Sequence, residues 1–392
     1  MKTPLLAVTL PLLLAGIFSS CNYFQNVTLL TQGRPQERNF HETFPFHFER
    51  GLIILDVQVS DDPATYPFLF DTGAFNSKIS AELAGPLGLP VKAIKENSDS
   101  QGNVRTIEVV QIDSLNLGNL TFLNIGAGKI DWDSAVPTPC LAEGGILGGN
   151  LIKLANWQID FATQTITASS EPFSVSEEAI RLRFTHPTLS GTPELVLEVD
   201  GRDLSPVLLD LGSNGSLRLP HSIHDAFDDT PGLSLIDATS AGIYGTSVDS
   251  VMIRPLPITL GEDRFTAPVR FEGSGEGLLG TEILQHYRVT IHYGKDEIFL
   301  EPYGDLPTAE PSLRFIPKVL NDEYWQVART EVGSDFTLGD TLRSINGLQP
   351  KDLFATYCEY FMGIGSLLQS EESLRVEKLN GEIVVLDPIK RW

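Results

Sequence analysis

Hydrophobic positions along the chain come in short runs cut by turn formers, not at helical spacing over long stretches. Leu52-Ile53-Ile54-Leu55 lies inside an alternating segment from Phe46 to Val59, and Asp61-Asp62-Pro63 turns the chain before a second apolar run, Pro67-Phe68-Leu69-Phe70. Such runs, bounded by Gly, Pro and Asp, predict strands. Ile79 to Leu87 then has helical spacing that breaks at Gly88-Leu89-Pro90, predicting a short helix. Asn97 to Gln101 is a polar turn, and Val104, Ile107, Val109, Val110 and Ile112 follow it, so a β-hairpin is expected with its tip at Gly102-Asn103. A strand over Trp157 to Phe161 closes this unit near Ser170. Residues 22–45, which precede it, show no clear period and read as a tether plus an entry strand.

The same order of signals then returns. Asp210 follows Asp71 by 139 residues, Gly245 follows Gly102 by 143, and Gly261 follows Gly118 by 143. Leu278-Leu279-Gly280 follows Ile146-Leu147-Gly148 by 132, and Val289 to Tyr293 follows Trp157 to Phe161 by the same 132. Near-constant offsets in constant order indicate a duplicated unit. Two mostly β lobes are expected, residues 46–170 and 171–302.

Composition narrows the function classes. The chain has 392 residues, 42% of them hydrophobic, enough for packed cores in two or three domains. A formal charge of -23 with no basic run repels phosphate backbones, which sets nucleic acid aside as a partner. Cys140 and Cys358 fall in different predicted units with no basic neighbour, so both are expected to be small buried side chains, unpaired and without a role. His221 and His224 have a spacing that suits a metal, but no third ligand is evident and exposed histidines are expected; Asp228 and Asp229 read as a solvated helix end. Neither a metal nor a cofactor is called for.

Lys2, an apolar run from Leu5 to Phe18, and Ser19-Ser20-Cys21 read as an export signal over residues 1–21. Small residues directly before a Cys resemble the bacterial lipobox, in which that Cys is acylated. The resemblance implies a lipid anchor on Cys21 at the cell envelope, on the periplasmic side of a membrane. Phe18 stands where an aliphatic residue is usual, and ordinary secretory cleavage to a soluble periplasmic or secreted chain is the other reading.

The most informative stretches are the two copies of one turn, Asp71-Thr72-Gly73-Ala74 and Asp210-Leu211-Gly212-Ser213, each delivered by an apolar run. Glycine permits the sharp bend, and the short residue after it lets backbone amides approach the carboxylate. Asp-Thr-Gly-Ala followed by Ile146-Leu147-Gly148 resembles the aspartic-protease pattern in the style of retropepsin-like domains. Asp210-Leu211-Gly212-Ser213 with Leu278-Leu279-Gly280 is similar to a second, less faithful copy, and the resemblance spans residues 46–302. It implies a single-chain, two-lobed aspartic endopeptidase acting on peptide or unfolded protein, with Asp71 and Asp210 as the catalytic pair. Thr72, Gly73, Ala74, Gly212 and Ser213 would support the dyad, Gly148 and Gly280 would pass behind it, and Gly102 and Gly245 would mark hairpin tips folding over the cleft.

Two carboxylates within hydrogen-bonding reach share one proton, so that one member draws a proton from water while the other polarises the scissile carbonyl. In the family, a hydroxyl after each Asp braces the other lobe; Thr72 supplies one and Leu211 does not. Ser213 is expected to stabilise an ionised Asp210, leaving the proton on Asp71.

Past Pro302, residues 303–311 are rich in turn formers and read as a linker. Gly339-Asp340, a strand ending Ile345-Asn346-Gly347, a helix over Pro350 to Phe361 and a hairpin around Asn380-Gly381 resemble a PDZ domain over residues 312–392. The resemblance implies a small α/β unit whose groove takes an extended peptide on a sheet edge. A catalytically inactive pseudoprotease and PDZ adaptor that holds peptides at the envelope is the alternative function.

Overall fold

The computed structural model describes residues 25–132, 137–227, 230–304, 313–369 and 372–387. The signal segment with Cys21, Asp228 and Asp229, and most of the linker lie outside the described residues. Among the described residues no helix is long and apolar enough to cross a membrane.

The chain is mostly β. In the first lobe β1 (Leu52–Val59), β2 (Thr65–Phe70), β3 (Lys78–Ser80), β4 (Val91–Ser98), β5 (Val104–Leu117), β6 (Leu120–Ile130) and β7 (Gly145–Leu147) form one barrel-like sheet, and β8 (Asn156–Asp160) leaves it. β2 runs between β1, antiparallel to it, and β7, parallel to it. The helix expected over 79–87 is a single turn, Ala81–Ala84, capped by the Ser80 hydroxyl on Leu83 N–H. Lys78 to Ser80 pair with β7 and β6 instead, so sheet pairing takes the first residues of the periodic stretch. Residues 25–31 of the expected tether are helical, and an entry strand follows at His41–Pro45.

The second lobe repeats this plan with β9 (Arg202–Leu209), β10 (Leu217–Leu219), β11 (Leu233–Asp237), β12 (Asp249–Leu260), β13 (Asp263–Phe271), β14 (Gly277–Leu279) and β15 (Tyr287–His292). β14 lies parallel to β9 and antiparallel to β10, as β7 does to β2 and β3. The closing strands β8 and β15 pair with each other, Trp157 with Ile291, Gln158 with Thr290 and Ile159 with Val289. Positions related by the 132-residue repeat thus exchange places across the pair, which makes the lobes related by a pseudo-two-fold axis. One continuous core runs through both lobes, with Trp157 packed edge-on against Phe44 and Phe70.

The C-terminal segment comprises β16 (Ile316–Asn321), β17 (Tyr324–Glu331), β18 (Thr341–Ile345), helix α1 (Tyr357–Leu368), β19 (Leu374–Lys378) and β20 (Ile383–Leu386). The helix expected from Pro350 to Phe361 is broken in two: Pro350–Leu353 is one turn, and α1 restarts after Thr356, whose hydroxyl accepts from Glu359 N–H. This segment has its own apolar core around Trp325 and Leu342, and it joins the second lobe edge to edge where β17 pairs with β11.

Candidate active site

Backbone pairing sets both carboxylates. Leu147 stands beside Phe70 and Leu279 beside Leu209, so the next backbone N–H groups, those of Asp71 and Asp210, donate to the Leu147 and Leu279 carbonyls at 3.0 and 2.9 Å. Gly148 passes so close to the first turn that a Cβ there would lie 2.5 Å from the Asn76 carbonyl carbon, and a side chain at Gly280 would collide with the Gly215 carbonyl. The two turns face each other across the pseudo-two-fold axis. A Cβ on Gly73 would lie 2.5 Å from Asp210 Cγ, and one on Gly212 would collide with the Asp71 carboxyl. Each carboxyl therefore rests over the glycine of the opposite lobe.

Within each turn a backbone amide points at its own carboxylate: Ala74 N–H donates to Asp71 Oδ1 at 2.8 Å and Gly212 N–H to Asp210 Oδ1 at 2.9 Å. Thr72 is fully buried; its hydroxyl donates to the Leu209 carbonyl at 2.6 Å and accepts from Leu211 N–H at 2.9 Å. One side chain thus ties the residues on either side of Asp210 in the opposite turn. Leu211 is equally buried and belongs to the shared apolar core.

Burial and the neighbouring Asp210 charge push the Asp71 carboxyl well above the usual carboxylate range. Burial raises Asp210 as well, but the Gly212 amide, a hydrogen bond from Asp71 and the charge of Arg218 pull it back. Asp71 is thus raised further than Asp210. The role expected of Ser213 is corrected: among the described residues its hydroxyl makes no bond to Asp210, whose acceptor positions are met by backbone amides and Asp71. Arg218 supplies the distinguishing charge, from eight residues beyond Asp210.

Gly102, at φ 80°, lies in the turn between β4 and β5, and Gly245, at φ 132°, lies between β11 and β12. The two tips meet over the dyad. Asn97 Nδ2 donates to Tyr244 Oη at 2.8 Å, Tyr244 N–H donates to Asp99 Oδ2 at 3.1 Å, and the Ser247 hydroxyl donates to Gln101 at 2.6 Å. Arg105 lies over the Tyr244 ring at 4.9 Å and donates to its carbonyl. Tyr244 was not singled out from the sequence; its place one residue before Gly245 is the available signal.

Beneath the tips is a cavity of about 1350 Å³ that holds Asp71, Asp210, Gly102 and Arg218. Its outer wall comes from the C-terminal segment, through Lys318 and Val319 of β16 and Tyr360, Phe361 and Ile364 of α1. Cys140 and Cys358 form a disulfide that joins the first lobe to α1, with a Cα–Cα distance of 5.2 Å. The expectation of two unpaired cysteines is overturned, because the C-terminal segment folds back across the cleft and brings its helix to the first lobe. On the other side, Arg329 of β17 donates to Asp237 Oδ2 through Nε at 2.9 Å and Nη2 at 2.5 Å, and Arg270 joins at 3.1 Å. Burial alone would raise the Asp237 carboxyl; Arg329, Arg270 and the Thr239 hydroxyl hold it at about 2.

His221 and His224 lie on the 3-10 helix His221–Phe227 with their rings stacked at 5.1 Å; His221 is exposed as expected, whereas His224 is half-buried with its ring edge-on to Phe271. Among the described residues no cluster of His, Cys, Asp or Glu is arranged to hold a metal.

No curated protein matches the chain. Among solved structures, basic 7S globulin from soybean is similar over 67% of this chain and 95% of that chain, at 12% identity and a TM-score of 0.41. A family model described as aspartyl protease matches residues 55–151, the stretch that carries Asp71, Thr72, the Gly102 hairpin and Gly148.

Proposed function

We propose that this chain is an aspartic endopeptidase that hydrolyses peptide bonds with Asp71, Asp210 and a water activated between them. The observation that carries the reading is the reciprocal seating of each carboxyl over the other lobe's glycine, which brings the two carboxyls together with both raised above the usual range. Asp210, ionised, takes a proton from the attacking water; Asp71, protonated, donates to the scissile carbonyl and later helps the amine leave. Thr72 keeps the two turns in register, and the joined tips around Tyr244 exclude solvent.

The C-terminal segment is read as a PDZ-like unit. Its β16 edge and α1 line the same cavity as the dyad, so an extended peptide added along β16 would lead into the cleft. Export, with lipid anchoring on Cys21, is the proposed location, and the disulfide supports an oxidising compartment.

The test is cleavage of an unfolded protein by wild type, Asp71→Asn and Asp210→Asn. Each variant is expected to lose activity by about 10²–10⁴-fold, the usual worth of a positioned acid or base. Peptide binding with no turnover in wild type would instead favour the adaptor reading.

A further inference from the structure

Basic side chains stand in the cavity of the dyad and at its border. Lys78 of β3 is 5% exposed, and its Nζ donates to the Asn76 carbonyl at 2.9 Å and to Asn76 Oδ1 at 2.7 Å. Lys95, on the hairpin strand β4, stands outside the dyad cavity over the Phe75 ring at 5.6 Å and donates to the same Oδ1 at 2.8 Å. Two amino groups converge on one neutral oxygen, and the acidic charge acting on Lys78 is that of Asp71. Burial and the charge of Lys95 push Lys78 well below the usual lysine range, and burial brings Lys95 to about 8. A further carboxylate beside these amines would favour their charged form, as Asp71 already does for Lys78.

The second lobe places a cation at the corresponding point. Lys78 is registered against Ile146, and Arg218 of β10 against Leu278, the middle residues of the two apolar strands behind the dyad. Both side chains line the cavity with Asp71 and Asp210. The only hydrogen bond of the Arg218 guanidinium among the described residues is a long one, 3.5 Å, to the Ser100 carbonyl. Among the acidic groups of the same cavity, Asp99 accepts from Gln101, Asn103 and Tyr244 amides and Glu272 is bonded by Arg270, while burial and the charge of Glu194 raise the Glu276 carboxyl. Because a pseudo-two-fold axis relates the lobes, equivalent side chains stand on opposite flanks of a peptide laid across the dyad.

We infer that Lys78 with Lys95, and Arg218, form two carboxylate-recognising subsites, one on each side of the scissile bond, selecting peptides with Asp or Glu beside the cut. The inference rests on the peptidase reading and names its substrate class. Lys78 and Arg218 act here as specificity residues, touching substrate side chains and not the reacting atoms.

The test compares matched peptides carrying Glu or Gln on one flank, the other flank or both, each with a free or amidated C-terminus. Wild type is expected to cut the Glu peptides at least tenfold faster in kcat/KM than the Gln isosteres. Lys78→Met is expected to lose the preference on one flank and Arg218→Gln on the other. The Glu-to-Gln ratio is taken within each variant, so any change in the dyad itself cancels. Cleavage with equal kcat/KM for Glu and Gln in wild type overturns the proposal, as does a ratio unchanged in both variants. A preference that follows the free C-terminus and ignores the side chain also overturns the side-chain assignment. If wild type cuts nothing, the peptidase reading fails, and fluorescence anisotropy with the same peptides decides the subsites: tighter Glu binding lost in Lys78→Met supports them, and equal affinities overturn them.

Discussion

The two lobes share a backbone plan and divide its chemistry unequally. The first contributes the bracing hydroxyl of Thr72 and the carboxyl that is raised further, and it holds the C-terminal segment through a disulfide. The second contributes a buried Leu211, an Asp210 steadied by Arg218, and a strand edge sealed by Arg329 and Arg270 on Asp237. The difference teaches that the two turns are tied here by one side-chain brace, not two. Thr72 both donates and accepts across the lobe boundary, whereas Leu211, at the corresponding place, goes to the core.

That comparison breaks most sharply at Thr72. Thr72→Val leaves the buried Leu209 carbonyl and Leu211 N–H without a partner, at roughly 1–3 kcal/mol each. Chemical denaturation should show that loss, together with a fall in any peptidase activity. Removing the covalent attachment comes next: Cys358→Ser is expected to cost about 2–5 kcal/mol in the same measurement, in line with loss of a native disulfide. Leu211→Thr is expected to destabilise by about 1–3 kcal/mol, since its hydroxyl enters an apolar core. A neutral or stabilising result would mean that the second lobe accepts a hydroxyl brace after all.

Smaller effects separate the lobes by pH. Asp237 has its carboxyl depressed to about 2, so its contribution is fully present above the ordinary carboxylate range and is lost as pH falls through about 2. Detachment of β17 from β11, followed by hydrogen exchange, should therefore appear only in strong acid, while Cys140–Cys358 responds to reductant and not to acid. Arg218→Gln removes a charge that lowers Asp210, so the acid limb of a kcat/KM profile is expected to move to higher pH. The alkaline limb, set by proton loss from Asp71, should move less.

Much of the dyad was legible because backbone rules write it into the sequence. An apolar run, a carboxylate and a glycine specify a strand entering a tight turn, and the repeat offset names the partner. Gly148 and Gly280 follow from the same logic, since only glycine fits where one backbone crosses another. The side-chain partners were less legible. Ser213 sits near Asp210 in sequence, but the turn's own amides fill the acceptor positions its hydroxyl was expected to take. Lys78 and Arg218 emerge only when strand register is known, although an isolated lysine within a buried three-residue strand is a signal in retrospect. The pairing of Cys140 with Cys358 depends on how the C-terminal segment lies across the first lobe, and no local pattern encodes that.

The disulfide also sets an order in time. Cys140 is synthesised 218 residues before Cys358, and Cys358 lies within the last tenth of the chain. Both Asp turns are complete before the helix that walls their cleft exists. A chain that stops short of residue 358 carries the dyad without its outer wall and with a free thiol at residue 140, so the finished bond is a chemical record that synthesis reached the C-terminal segment.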